Sequence, residues 1–359
     1  MRLLFAAAYI LISRFRRVAI SSLAVFSILA LSGCATAVNP EVNQFRMDPP
    51  IKKYIDVAKD FKKTVNENLK DGPYSDRVIV EIEEAVNKGF IRTGLRSNID
   101  TFQSRFRDNL PDTSIRMIMF NDPKWALKKV KKLYQGENDL IYVTNDFGKG
   151  KYFDNDYCDG QPGLYGYTYP FDEPLILISA QCTPTKYFYN KDKAAVQLSI
   201  VSHELVHVAQ LFWTSSYDSC YLPNWLIEGQ AQALSSVLTV GFGSNTQEIL
   251  RKDWFNWNPD GRIDDNEKYI KPGSEEGDGG VYSDGALATE YLVARSGWPK
   301  MIKVMKFAEA IASGKCNSFS QMYYFKTAFR IIYGQEFQDF QNEVRAYLKW
   351  AITEDSNGN

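Results

Sequence analysis

Histidine is almost missing from this chain: there are two among 359 residues. A centre built on three histidines is therefore excluded, and any histidine chemistry must use these two. Cysteine is sparse as well, at five residues with no CxxC pair, which argues against a four-thiolate metal knuckle. Neither charge sign dominates, with 42 Lys and Arg against 43 Asp and Glu, so the basic surplus of a nucleic-acid-binding surface is absent. There is no internal repeat. The apolar run at residues 18–31 is short for a membrane span, which needs about 20 residues.

The two histidines stand four residues apart with a glutamate between them, His203-Glu204-Leu205-Val206-His207, an HExxH pattern. On a helix, residues i and i+4 project from one face, so both imidazoles can reach one metal ion. Glu204 lies one step round the helix, where its carboxylate can face a water activated by that ion and take its proton. A catalytic zinc usually has three protein ligands. With no histidine left, the third must be a carboxylate or a thiolate. The next helical segment, Pro223-Asn224-Trp225-Leu226-Ile227-Glu228-Gly229-Gln230-Ala231, offers one. Pro223 suits a helix start, and Glu228 follows about one turn later.

These two segments resemble the gluzincin metallopeptidases, the thermolysin-like group with an HExxH helix and a downstream glutamate ligand. Their second motif often reads W-L-x-E-G-x-A, and residues 225–231 match every fixed position. The resemblance implies His203, His207 and Glu228 as zinc ligands and Glu204 as general base. Gluzincins often carry an acidic residue one turn after the glutamate ligand, bonded to a metal-bound histidine. Here that position is Gln232, which can accept the same bond without the charge. Several gluzincins also use a tyrosine hydroxyl to stabilise the oxyanion, and Tyr282, just before Gly285-Ala286, is the candidate. The strong resemblance covers residues 174–236, and a weaker one extends it to about residue 350. In relatives, the edge strand before the active helix binds extended peptide by strand addition, and residues 174–180 hold the matching position.

Residues 256–267 resemble an EF-hand calcium loop, with oxygen ligands offered by Asn256, Asn258, Asp260, Asp264 and Glu267 around Gly261. Asn256 stands where the pattern wants Asp, so the expected calcium site is weakened, and an acidic turn around Asp260-Gly261 is the plainer reading. The aromatic segment 165–171 is either a cleft lining or the core of a loop.

The N-terminus carries an address. Arg14, Arg16 and Arg17 precede the apolar run and small residues follow it, which describes a secretory signal peptide. Leu31-Ser32-Gly33-Cys34 resembles the bacterial lipobox. That resemblance implies cleavage before Cys34, acylation of its thiol and anchoring to a lipid bilayer; the alternative is an uncleaved anchor. Ala35 resembles the outer-membrane sorting pattern, which in a Gram-negative host would face the domain into the periplasm. Without residues 1–34, which hold four arginines and no acid, 38 basic residues face 43 acidic ones. Four cysteines would remain, Cys158, Cys182, Cys220 and Cys316. In an exported chain that suggests disulfides with three possible pairings, of which Cys158–Cys182 with Cys220–Cys316 is favoured.

The organisation expected is a signal peptide over 1–34, a Pro-containing tether over 35–50, a helical region over 51–110, a peptidase-like domain over 111–352 and a flexible tail over 353–359. Helices are expected at about 51–69, 76–90 and 97–109, and strands at 113–120, 139–145 and 174–180. From about residue 191 the pattern is helical, at 192–213, 223–238, 245–255, 282–296, 299–313, 319–332 and 335–350. The fold class is α+β: a small mixed sheet packed on the HExxH helix, then a mainly helical C-terminal lobe. The function expected is a lipid-anchored zinc peptidase acting on peptide or protein substrates. The alternatives are a catalytically inactive zinc-binding adaptor and a hydrolase of a peptidoglycan amide.

Overall fold

The computed structural model describes residues 54–356, apart from 73–75, 87, 111, 149–152, 154–163, 182–189, 215–221, 244, 256–278 and 313–320. The expectations at Cys34, at the other four cysteines and at the 256–267 loop lie outside the described residues.

Four strands form one mixed sheet in the order β1–β2–β4–β3. They are β1 (Val78–Ile82), β2 (Ile115–Phe120), β3 (Tyr165–Tyr169) and β4 (Leu175–Ser179). β1, β2 and β4 run parallel, and β3 lies antiparallel on β4. β2 and β4 are apolar at nearly every position because both faces of the sheet are covered. Ile115, Met117, Met119, Ile176 and Ile178 enter the larger core. Their alternates Ile118, Phe120, Leu175 and Leu177 face a smaller one, as the period of two requires. Helices α3 (Pro123–Leu133) and α4 (Leu140–Asp146) supply Ala126, Val130 and Val143 to that second core.

The other helices are α1 (Val57–Asn68), α2 (Lys88–Phe106), α5 (Lys191–Trp213), α6 (Asn224–Leu238), α7 (Thr246–Phe255), α8 (Gly279–Ser296), α9 (Trp298–Ala312), α10 (Gln321–Tyr333) and α11 (Phe337–Ser356). One apolar cluster runs from Val57 in α1 to Ala351 in α11. α8 packs on α6 and α1, and α5 packs on α2 and α6. Glycines with positive φ, Gly297 at 84° and Gly334 at 67°, close α8 and α10. Their N–H groups bond back to Val293 and Arg330 carbonyls, satisfying carbonyls that a helix end leaves free. A buried polar network ties three helices of this lobe. Arg251 Nε lies 3.0 Å from both oxygens of Glu290, and Tyr347 Oη lies 3.2 Å from the Arg251 guanidinium.

Four expectations need correction. The helix expected at 76–90 is strand β1 followed by the start of α2. Its acids Glu81 and Glu83 are used in the strand and just past its end. Glu83 accepts the Asn121 and Asp122 N–H groups at 2.6 and 2.7 Å, and Lys129 bonds Glu81 at 2.7 Å. The N-terminal region is thus not purely helical and contributes a strand to the sheet. The strand expected at 139–145 is helix α4. Its β-branched and aromatic residues misled, because Ile141 and Tyr142 are 60% and 65% exposed and Val143 alone is buried. Local propensity does not outweigh that packing. Finally, the segment at 174–180 is no edge strand. β4 lies inside the sheet, and the edge is β3, in the stretch read as a loop. The last helix also reaches Ser356, into the stretch read as a tail.

Candidate metal centre

Helix α5 begins at Asn190, whose side-chain oxygen accepts the Asp192 and Lys193 N–H groups at 3.0 and 3.1 Å, a cap worth about 1 kcal/mol. The helix is apolar nearly all round, so most of its length is buried. His203, Glu204 and His207 are carried into the interior with it, each under 8% exposed. Buried polar groups of this kind need partners. The two imidazoles stand edge to face with centroids 4.6 Å apart, and their Nε2 atoms are 3.0 Å apart. His203, Glu204 and His207 form a buried group whose ligand atoms lie within 4.8 Å of one another, and it could hold a metal ion.

Helix α6 starts directly after Pro223, whose carbonyl accepts the Leu226 N–H at 2.9 Å. One turn on, Glu228 Oε2 lies 3.1 Å from His203 Nε2 and 3.3 Å from His207 Nε2. A tetrahedral ion with ligands at about 2.0–2.1 Å holds its ligand atoms about 3.3 Å apart. The three atoms match that triangle. Glycine makes the approach of α6 possible. A Cβ at Gly229 would sit 2.1 Å from the Gly285 carbonyl carbon, and one at Gly285 would sit 2.6 Å from the Trp225 oxygen. The crossing of α6 and α8 therefore brings Glu228 and Tyr282 to the same place. The Tyr282 ring centroid is 5.8 Å from that of His203.

Each imidazole has an amide oxygen behind it. His203 Nδ1 is 3.1 Å from Gln232 Oε1, and His207 Nδ1 is 2.7 Å from Gln210 Oε1. Gln232 thus reaches the His203 ring from one turn after Glu228. Burial alone would lower the pKa of His207, but the Glu228 carboxylate overrides it and raises the ring from 6.5 to about 9. Burial would raise Glu228, yet the charge and hydrogen bonds of the imidazoles hold it well below the usual carboxylate range.

Glu204 faces strand β3. Thr168 Oγ1 donates to Glu204 Oε2 at 2.7 Å, and it lies 3.1 Å from the Glu204 main-chain oxygen. Two residues before it on the same strand face, Gly166 leaves room for the carboxylate: a Cβ there would sit 2.6 Å from Glu204 Oε1. Tyr167 and Tyr169 alternate with these residues, their rings 4.7 Å apart, and Tyr169 Oη donates to Asp146 at 2.7 Å. Burial and the resident imidazoles act in opposite senses on Glu204, burial prevails, and the pKa is raised above the ordinary carboxylate value.

No protein-family model, curated protein or solved structure matches the chain. The structure brings together His203, Glu204, His207, Glu228, Gln232 and Tyr282. Thr168, Gly166 and Gln210 were missed by sequence reasoning. The alternation Gly166-Tyr167-Thr168-Tyr169 was the available signal for the first two, and the i, i+3 spacing from His207 for the third. Among the described residues no helix is long and apolar enough to cross a membrane.

Proposed function

We propose that the chain is a zinc-dependent metallopeptidase of gluzincin type, anchored to a bilayer of the bacterial cell envelope through an acylated Cys34. One observation carries the reading: His203 Nε2, His207 Nε2 and Glu228 Oε2 stand 3.0–3.3 Å apart, with a buried Glu204 beside them. Glu228 is preferred to Glu204 as third ligand because its Oε2 stands 3.1 and 3.3 Å from the two Nε2 atoms and because Thr168 engages the Glu204 carboxylate. Bound zinc would acidify a water toward a pKa of about 7 and polarise the scissile carbonyl.

The chain's own groups supply the rest. Glu204 keeps Oε2 on the Thr168 hydroxyl and takes the proton of the attacking water at Oε1. It then delivers that proton to the leaving amine. Its raised pKa suits a group that must hold a proton briefly and release it. Tyr282 supplies a hydroxyl to the oxyanion as the carbonyl carbon becomes tetrahedral. Among the described residues β3 has β4 as its one strand neighbour, so its other edge is suited to aligning an extended substrate by strand addition.

Metal analysis of the purified protein tests the ligand set. One zinc is expected in wild type, and His203→Ala, His207→Ala and Glu228→Ala should each lose most of the affinity. Unchanged zinc in all three variants would remove the basis of the proposal.

A further inference from the structure

We infer that Gln210 is a positioning residue of the metal centre: it fixes the tautomer of His207 and ties that ring to the helix carrying Glu228. The inference rests on the reading of His203, His207 and Glu228 as zinc ligands.

Gln210 is 2% exposed, so each polar atom of its amide needs a partner within the protein. Its Nε2 lies 2.9 Å from the Ile227 main-chain carbonyl and 2.6 Å from Gln230 Oε1. The Ile227 carbonyl can only accept a hydrogen bond, which sets the amide's orientation: the nitrogen faces α6 and the oxygen faces His207. Gln230, fully buried, sends its own Nε2 to Met305 Sδ at 3.5 Å, so its oxygen is left to receive the second N–H of Gln210. Every donor of the Gln210 amide is then used.

The consequence falls on the ring. Gln210 Oε1 stands 2.7 Å from His207 Nδ1, and an amide oxygen only accepts. Nδ1 must carry the hydrogen, and the lone pair of a neutral ring is left on Nε2. That atom faces Glu228 and His203. The same amide grips α6 at Ile227, the residue directly before Glu228. One side chain therefore sets both the ring's tautomer and the distance between two ligand-bearing helices. It does so without adding a third negative charge to a centre that already holds Glu204 and Glu228. Gln232 backs His203 in the same neutral manner, but from α6.

The two-histidine composition makes the test clean, because the imidazole nitrogen spectrum contains only the rings of His203 and His207. Wild type, Gln210→Met and Gln210→Glu are compared by proton–nitrogen NMR of the rings and by zinc competition against a chelator of known affinity. Methionine matches the size of glutamine but has no strong acceptor. Glutamate keeps the acceptor and loses the N–H grip on Ile227. Wild type should show a protected His207 Nδ1–H, with or without zinc. Gln210→Met should lose that protection and bind zinc about 10–100-fold more weakly, the usual effect of removing such an outer partner. Gln210→Glu should keep the protected proton and lose less zinc affinity than Gln210→Met, because it gives up the grip on Ile227 but keeps the acceptor for His207; a purely structural role of Gln210 would not separate the two. Wild-type zinc affinity in Gln210→Met, or equal losses in the two variants, overturns the inference. If Gln210→Met does not fold, the wild-type spectrum still decides, since a His207 Nδ1 without its hydrogen contradicts the claim. Absence of zinc from wild type instead overturns the metal reading itself.

Discussion

Replacing Gly166 with alanine probes the contact between the edge strand and Glu204. The new Cβ would lie 2.5 Å from Glu204 Cγ, 2.6 Å from Oε1 and 2.8 Å from Cδ. Carbon atoms rest about 3.5–4.0 Å apart, so the carboxylate has to move by about 1 Å. Gly166 does not have a positive φ, so the cost comes from crowding and not from backbone strain. Overpacking of this kind costs about 1–3 kcal/mol, and a 1 Å misplacement of a reacting group can cost about 10²-fold in rate. Urea unfolding of wild type, Gly166→Ala, Glu204→Ala and the double variant measures the first quantity. The alanine should be destabilising in wild type and nearly neutral once Glu204 is truncated, giving a coupling of about 1–3 kcal/mol. Peptide turnover at full zinc loading measures the second. A Gly166→Ala protein with wild-type stability and wild-type turnover would refute the placement of Glu204 against β3.

Two other perturbations follow from buried charge. In the metal-free protein the folded state holds the His207 proton more tightly than the unfolded chain, because its pKa is raised from 6.5 to about 9. The contribution of the His207–Glu228 pair is therefore full below pH 6.5 and is lost as pH rises through about 9. Glu228, held below its ordinary 4.5, contributes above that value and loses its contribution only in stronger acid. The melting temperature of the metal-free protein should fall between pH 6.5 and 9, and zinc should suppress the fall; a flat metal-free profile would contradict the pairing. In the helical lobe, Arg251→Met leaves the fully buried Glu290 without its cation. Breaking a buried pair costs about 3–5 kcal/mol, and converting both partners to apolar residues should restore most of it. Urea midpoints showing no loss in the single variant would refute that account.

The HExxH helix and its partner were legible because their spacing is local. His203 and His207 share one helix, and Glu228 follows a proline that starts the next, so neither required knowledge of distant packing. The late helices were legible for the same reason, with apolar periodicity read within a few residues at their ends. The sheet was harder. β1 carries Glu81 and is followed directly by Glu83, and their partners, Lys129 and the Asn121 and Asp122 N–H groups, lie about 40 to 50 residues away in sequence. Ile141, Tyr142 and Val143 have strand propensity, yet only Val143 is buried, and one buried position per turn is a helix's pattern. The order β1–β2–β4–β3 is a non-local fact. Missing it hid Gly166 and Thr168, which matter only because β3 meets Glu204. Gln232 was visible from its spacing to Glu228, whereas the grip of Gln210 on Ile227 depends on how α5 and α6 cross.

Glu204→Gln tests the central claim most directly. The change keeps the size of the side chain, leaves His203, His207 and Glu228 intact, and removes the base. Zinc content and melting temperature should stay close to wild type, while hydrolysis of a peptide found by library screening should fall by about 10²-fold or more. A zinc-loaded Glu204→Gln protein that cleaves the same peptide at the wild-type rate would contradict the proposed chemistry.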